Sequence, residues 1–165
     1  MNRNDPQHSF GFLLSDVSRL LKRNFNRRVR PLGLTESQWR ALARLSRQEG
    51  VNQATLADLL DIRPITLTQA IDRLEQLDLV ERRPDPTDRR AHRLFLRPGA
   101  RPVVDELWRL AAVTREQAMA GMSPALERQL VEALAMIKCN LLAAESAPAP
   151  AAHDGASDER RAASR

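Results

Sequence analysis

Two adjacent arginines, Arg89 and Arg90, stand beside Asp88 in a stretch rich in turn formers, Pro84-Asp85-Pro86-Thr87-Asp88-Arg89-Arg90-Ala91. A guanidinium on such a turn can enter a narrow minor groove of DNA, where the potential is most negative, and a neighbouring carboxylate can hold it there. From Glu81 to Arg97 there are six Arg against three acidic residues, so the basic excess of the chain is concentrated here. A solvated turn is the plainer account of an Arg-rich hairpin, and the elements before it must decide between the two. Other chemistry finds less support. His8, His92 and His153 are isolated, with no Cys or carboxylate cluster at metal-ligand spacing. The chain has no Gly-rich phosphate loop and no nucleophile motif. The expectation is no metal, no cofactor, no catalytic residue and no enzyme.

The elements that must hold this turn are legible. Leu79-Val80-Glu81-Arg82-Arg83 and His92-Arg93-Leu94-Phe95-Leu96 alternate as short strands on either side of it, which predicts a hairpin. Before the hairpin, Asn52 can cap a helix that buries Leu56, Leu59 and Leu60. Asp61-Ile62-Arg63 breaks it, and Pro64 sits in the first turn of the next helix, where its missing N–H is not needed. That helix should bury Leu67, Ala70, Ile71 and Leu74 and leave Ile65, Thr66, Thr68, Gln69, Asp72 and Arg73 facing out. Two short helices with such a turn match helix-turn-helix, and a hairpin directly after them makes a winged helix.

Further upstream, Thr35-Glu36-Ser37-Gln38 has the capping-box pattern. It should open a helix burying Trp39, Leu42, Ala43 and Leu45, with Gly50 as a left-handed stop. The first helix runs from Phe10 to Arg30, ends near Pro31, and carries one apolar stripe: Phe10, Leu13, Leu14, Val17, Leu20, Leu21, Phe25 and Val29. The stripe fits either the chain's own core or a partner helix. After Pro98-Gly99 a long helix spans Pro102 to about Met119. Ser123-Pro124 starts a last one, with Leu126, Leu130, Leu134, Ile137 and Leu141 at helical spacing and Cys139 expected to pack. From 147 to 165 no large apolar residue occurs, and a disordered tail is expected.

The bulk composition agrees. Hydrophobic residues make up 42% of 165 and aromatics only 4%, so aliphatic side chains must fill the core of one domain of usual size. The net charge of +5 fits a polyanionic partner, or only an Arg-rich genome. A single Cys fits a reducing compartment. No stretch reaches the roughly 18 apolar residues of a membrane helix, and the N-terminus lacks a signal-peptide pattern, so a cytoplasmic location and no membrane contact are expected.

This order of elements resembles the MarR family of bacterial transcription regulators over roughly residues 9 to 145. Asp85-Pro86-Thr87-Asp88-Arg89-Arg90-Ala91, followed by the Arg93 to Leu96 strand and Gly99, looks like the family's wing signature. Leu32-Gly33-Leu34-Thr35 with Trp39, and Leu67-Thr68-Gln69-Ala70-Ile71-Asp72-Arg73-Leu74-Glu75, are similar to two further segments. The Leu34-Thr35…Trp39 portion leans toward the SlyA-type branch. The resemblance implies a mainly α fold with a small β-hairpin wing, a winged helix-turn-helix joined to a helical dimerisation region. It assigns 31–99 to DNA binding, and 1–30 with 100–146 to dimerisation. It implies a homodimer on a palindromic DNA operator, usually a repressor, released by a small aromatic acid effector. Pro64, Thr66, Thr68, Gln69 and Arg73 would serve the major-groove helix. Arg90 would enter the minor groove, oriented by Asp88, with Arg89 on phosphate or bracing the wing. Trp39 would line a ligand pocket, or be simply core. Arg19 and Arg23 would supply its cation, or lie on a solvated face.

Three positions depart from the family pattern. Asp78 stands where a Gly commonly follows the recognition helix, Arg97 where the wing usually ends in Thr, and Gln69 where many relatives have Arg. A compacting or counter-silencing protein without an effector, and a winged helix used for protein contact, are the competing accounts.

Overall fold

The computed structural model describes residues 9–88 and 91–146. Its elements run α1 (Phe10–Val29), a 3-10 turn (Arg30–Leu32), α2 (Glu36–Leu45), β1 (Val51–Asn52), α3 (Gln53–Leu60), α4 (Pro64–Gln76), β2 (Val80–Pro84), β3 (His92–Leu96), α5 (Ala100–Ala118) and α6 (Pro124–Ser146). The fold is mainly helical with one small antiparallel sheet in the order β1-β3-β2. The expected hairpin is there, with Val80 opposite Leu96 and Pro84 opposite His92. Strand β1 is an addition to the sequence expectation, pairing Val51 with Leu94 and Asn52 with Arg93. The chain forms two compact units, 1–120 and 121–165, and the described part of the second is essentially α6.

The local signals act where they were read. Gln38 Oε1 accepts the Thr35 N–H at 2.8 Å and closes the capping box of α2. Asn52 Oδ1 accepts the Thr55 N–H at 2.8 Å and caps α3. Pro64 opens α4, while Arg30–Leu32 tightens into the 3-10 turn at Pro31. Gly50 is left-handed at φ +76°, but it lies beyond the Ser46 C-cap of α2 and turns the chain into β1, its N–H donating to Leu94 O at 2.9 Å.

One core joins α2, α3, α4 and the sheet. Leu42, Leu45, Leu56, Leu67, Ile71, Leu74 and Leu94 are fully buried in it, with Val29 from α1 and Leu107 from α5 beside them. The inward face of α4 is the expected one: Leu67, Ala70, Ile71 and Leu74. Helix α3 differs by one position, because Ala57 is buried where Leu59 was expected, and Leu59 stays exposed. In α2, Ala41 goes inside, while Trp39 and Ala43 are half-buried. The long helices are less enclosed. Only Val29 of α1 is buried, and α6 buries no residue at all. Cys139 on α6 is exposed, not packed as expected. Among the described residues no helix is long and apolar enough to cross a membrane.

Candidate nucleic-acid interface

Helix α4 presents Thr66, Gln69 and Arg73 on one exposed face, since residues three, four and seven apart stack along a helix. Arg73 Nη1 donates to Gln76 Oε1 at 3.0 Å. Thr68 differs from the outward position expected of it. It is half-buried, and its hydroxyl is occupied: it donates to Pro64 O at 3.0 Å and accepts from Gln53 Nε2 at 2.6 Å. Its physical role in the chain is therefore to tie the start of α4 to α3.

The opposite side of α4 is held by Arg82 of β2, a residue to which the sequence reading gave no role. Arg82 Nη2 pairs with Asp72 Oδ1 at 2.7 Å, Nη1 pairs with Glu75 Oε2, and Nε donates to Gln53 Oε1 at 3.4 Å. The Arg82 N–H also donates to Glu75 Oε1 at 3.1 Å. One guanidinium thus links α3, α4 and β2. Two or more charge-assisted bonds from one planar fork fix an angle as well as a distance. The signal in the sequence was Asp72 and Glu75 one turn apart on a helix followed by an Arg-rich strand.

A second network sits at the root of the wing. Asp78 adopts the left-handed conformation at φ +58°, which glycine accepts more readily than aspartate. Arg97 pairs with Asp78 Oδ1 and, through Nε at 3.2 Å, with Glu81 Oε2. Arg83 also pairs with Glu81, and its guanidinium lies 4.2 Å from the centroid of the Phe95 ring. These partners lower the pKa of Glu81, chiefly through Arg83 and then Arg97.

Towards the tip, Asp85 gathers the strands. Arg93 donates to it from Nε at 2.7 Å, and Thr87 donates its N–H at 2.8 Å and its hydroxyl at 2.7 Å. The Arg93 bond first, then the Thr87 bonds, hold the Asp85 carboxyl well below its ordinary 3.8. The Asp85 N–H reaches Ala91 O and the Ala91 N–H reaches Asp88 O, both at 3.0 Å, so the turn is closed by backbone bonds. Asp88 is exposed in this turn. Arg89 and Arg90 lie outside the described residues.

The expected ligand residues do not come together. Trp39 lines a cleft of about 350 Å³, with Phe25, Leu60, Leu107, Trp108 and Ala111 among its apolar walls. Its indole N–H donates to Asn26 Oδ1 at 2.7 Å, and Phe25 meets it edge-on at 4.7 Å. Arg19 and Arg23 do not line this cleft: Arg19 pairs with Asp16 on α1, and Arg23 borders a separate groove with Leu20, Asn24 and Arg27. The cations of the cleft are Arg40, Arg44 and Arg47. Arg40 and Arg44 lie one turn apart on α2 and share a face, and Arg47 follows in the turn beyond the helix. Arg44 Nε is buried without a hydrogen-bond partner, Arg47 lies 4.9 Å over the Trp108 ring, and Arg40 donates to Leu60 O, a carbonyl at the end of α3.

Comparison with known proteins places this geometry. The MarR family model matches residues 34–92, which span α2 to the start of β3. The solved transcriptional regulator PA3341 is 30% identical at a TM-score of 0.72, over 81% of this chain and 98% of its own. A MarR-family regulator from Silicibacter pomeroyi is 28% identical at 0.70, over 79% and 88%. The transcriptional repressor CouR, solved bound to a 23-mer DNA duplex, is 25% identical at 0.70, over 84% and 98%. With the wing, the recognition helix and these matches together, the chain belongs to the MarR family of transcription regulators.

Proposed function

We propose that the protein is a sequence-specific DNA-binding repressor that acts in the cytoplasm as a homodimer on a palindromic operator. The observation that carries this reading is the division of α4: one face is locked to the fold by Arg82, and the other offers Thr66, Gln69 and Arg73 outward. Gln69 can bond an adenine edge through two bonds, and Arg73 suits guanine or phosphate. Arg90 is the side chain inserted into the minor groove, oriented by Asp88, while Arg89 contacts phosphate or braces the wing. The segments 1–30 and 100–146 form the dimerisation region and 31–99 reads DNA. The apolar side chains that α1 and α6 leave exposed support that division. The similarity to CouR supports repression and duplex binding.

The cleft at Trp39 takes a small aromatic anion, as in the SlyA-type branch that the Leu34-Thr35…Trp39 segment resembles. Its aromatic walls suit a ring, and the unpartnered Arg44 Nε beside Arg40 suits a carboxylate. Arg40 supplies the coupling. It holds Leu60 O just before the turn into α4, so an anion that draws Arg40 away frees the end of α3.

In vitro selection of bound DNA, repeated with salicylate, tests the whole reading. A palindromic consensus is expected, with affinity falling as salicylate rises to millimolar. Arg90→Ala should weaken binding across sequences and reduce the salt slope by about one. Unchanged affinity in Arg90→Ala would make the wing something other than a DNA contact, and no response to salicylate would remove it as effector.

A further inference from the structure

Ile65 is the most exposed large apolar side chain between Glu36 and Leu96, at 61%, and it lies in the first turn of α4. Its neighbours Arg63, Pro64 and Thr66 are all exposed. Among the described residues nothing covers it, although the adjoining core takes up every other aliphatic residue of α4. A β-branched side chain here adds nothing to helix propensity either.

The position on the helix indicates what covers it. Gln69 and Arg73 follow Ile65 by four and eight residues, so the three share one stripe. The rim around Ile65 carries Arg63 and no acidic side chain within two residues in sequence, and the N-terminal end of α4 is the positive end of its dipole. That surrounding suits a polyanion better than the apolar patch a protein partner would need. In the major groove the apolar group that DNA presents is the thymine methyl.

We infer that Ile65 is a specificity residue that packs on a thymine 5-methyl group in the major groove. The inference rests on the DNA-binding reading above and adds a base contact to it. Four residues of helix advance about 6 Å, close to two base-pair steps of 3.4 Å. The thymine should therefore lie within about two base pairs of the base read by Gln69.

The test uses the full chain and the duplex obtained by in vitro selection. Each thymine in turn is replaced by deoxyuridine, and binding is measured by fluorescence anisotropy at one salt concentration. The native chain should lose about fourfold in affinity at one thymine position, the effect of removing one methyl-sized contact. Ile65→Ala should lose nothing further at that position, whereas Ile65→Val should behave like the native chain. An identical uracil profile for the native chain and Ile65→Ala would overturn the inference. So would a change in the sedimentation of Ile65→Ala without DNA, with its uracil profile unaltered, because the side chain would then be a protein contact. If selection returns no preferred duplex at all, it is the DNA reading that fails, and this contact with it.

Discussion

Helices α4 and α6 are both well supplied with aliphatic residues, and they end in opposite situations. Leu67, Ala70, Ile71 and Leu74 of α4 are all buried. Leu126, Val131, Leu134, Met136, Leu141 and Leu142 of α6 are all exposed. The first set has partners in α2, α3 and the sheet, within the same chain. Helix α1 resembles α6, with Phe10, Leu13, Val17 and Leu20 open to water. Isolated exposed apolar residues are ordinary, but continuous helical faces of them mark a surface that something must cover. The winged helix thus buries its aliphatic face within the chain, whereas the long helices leave theirs open, which is the face the proposed homodimer would cover.

The widest effect is expected where that contrast is greatest. Leu134→Asp combined with Leu141→Asp should convert the proposed dimer to a monomer in sedimentation, with the helix content of the winged helix preserved. Operator affinity should fall by about 10²-fold or more, since two linked half-site contacts become independent. A variant that stays dimeric would show that α6 is not the covered face. The next effect belongs to the self-sufficient region. Arg82→Ala should lower unfolding stability by about 1.5–3 kcal/mol, because Asp72 and Glu75 lose a charged hydrogen-bond partner. It should also weaken DNA binding while leaving the dimer intact. Unaltered DNA affinity would separate the clamp on α4 from base reading.

The smallest effect is local to the wing and appears only in acid. The folded pKa of Asp85 is depressed, so its contribution to stability is fully present above the ordinary 3.8. It is lost as pH falls below that value and through the lowered folded one. Amide exchange at Thr87 and Ala91, followed from pH 6 down to about pH 2, should show protection declining in the native chain. In Asp85→Asn the protection should be weaker at pH 6 and nearly flat with pH. An equal acid loss in both would assign the effect to other carboxylates.

Much of the winged helix was legible because its cues are local. Asn52, Pro64 and the Thr35…Gln38 box act within one helical turn, and the aliphatic period of α4 needs no knowledge of its neighbours. What escaped depends on long-range placement. Strand β1 is two residues long and exists only because β3 arrives beside it from more than forty residues away. A helical period located an apolar side of α3 but not its edge, which is why Ala57 rather than Leu59 is inside. The cations beside Trp39 are not Arg19 and Arg23 of α1 but Arg40 and Arg44 of α2, with Arg47 in the turn after it. Arginines are frequent on every helix here, and only the packing of α2 on α5 selects which of them face the cleft.

The ion pair between Asp78 and Arg97 has a consequence for anyone who alters this protein. Each residue, viewed alone, is an oddity: an aspartate in a left-handed position, and an arginine at the end of a strand. Together they form a latch between the end of α4 and the base of the β2–β3 hairpin. Exchanging Asp78 for glycine would relax the backbone and at the same moment unfasten Arg97. The two positions are best treated as a single heritable unit, to be transplanted, repaired or randomised together. A homologue that drops one half of the latch should be searched for the loss of the other.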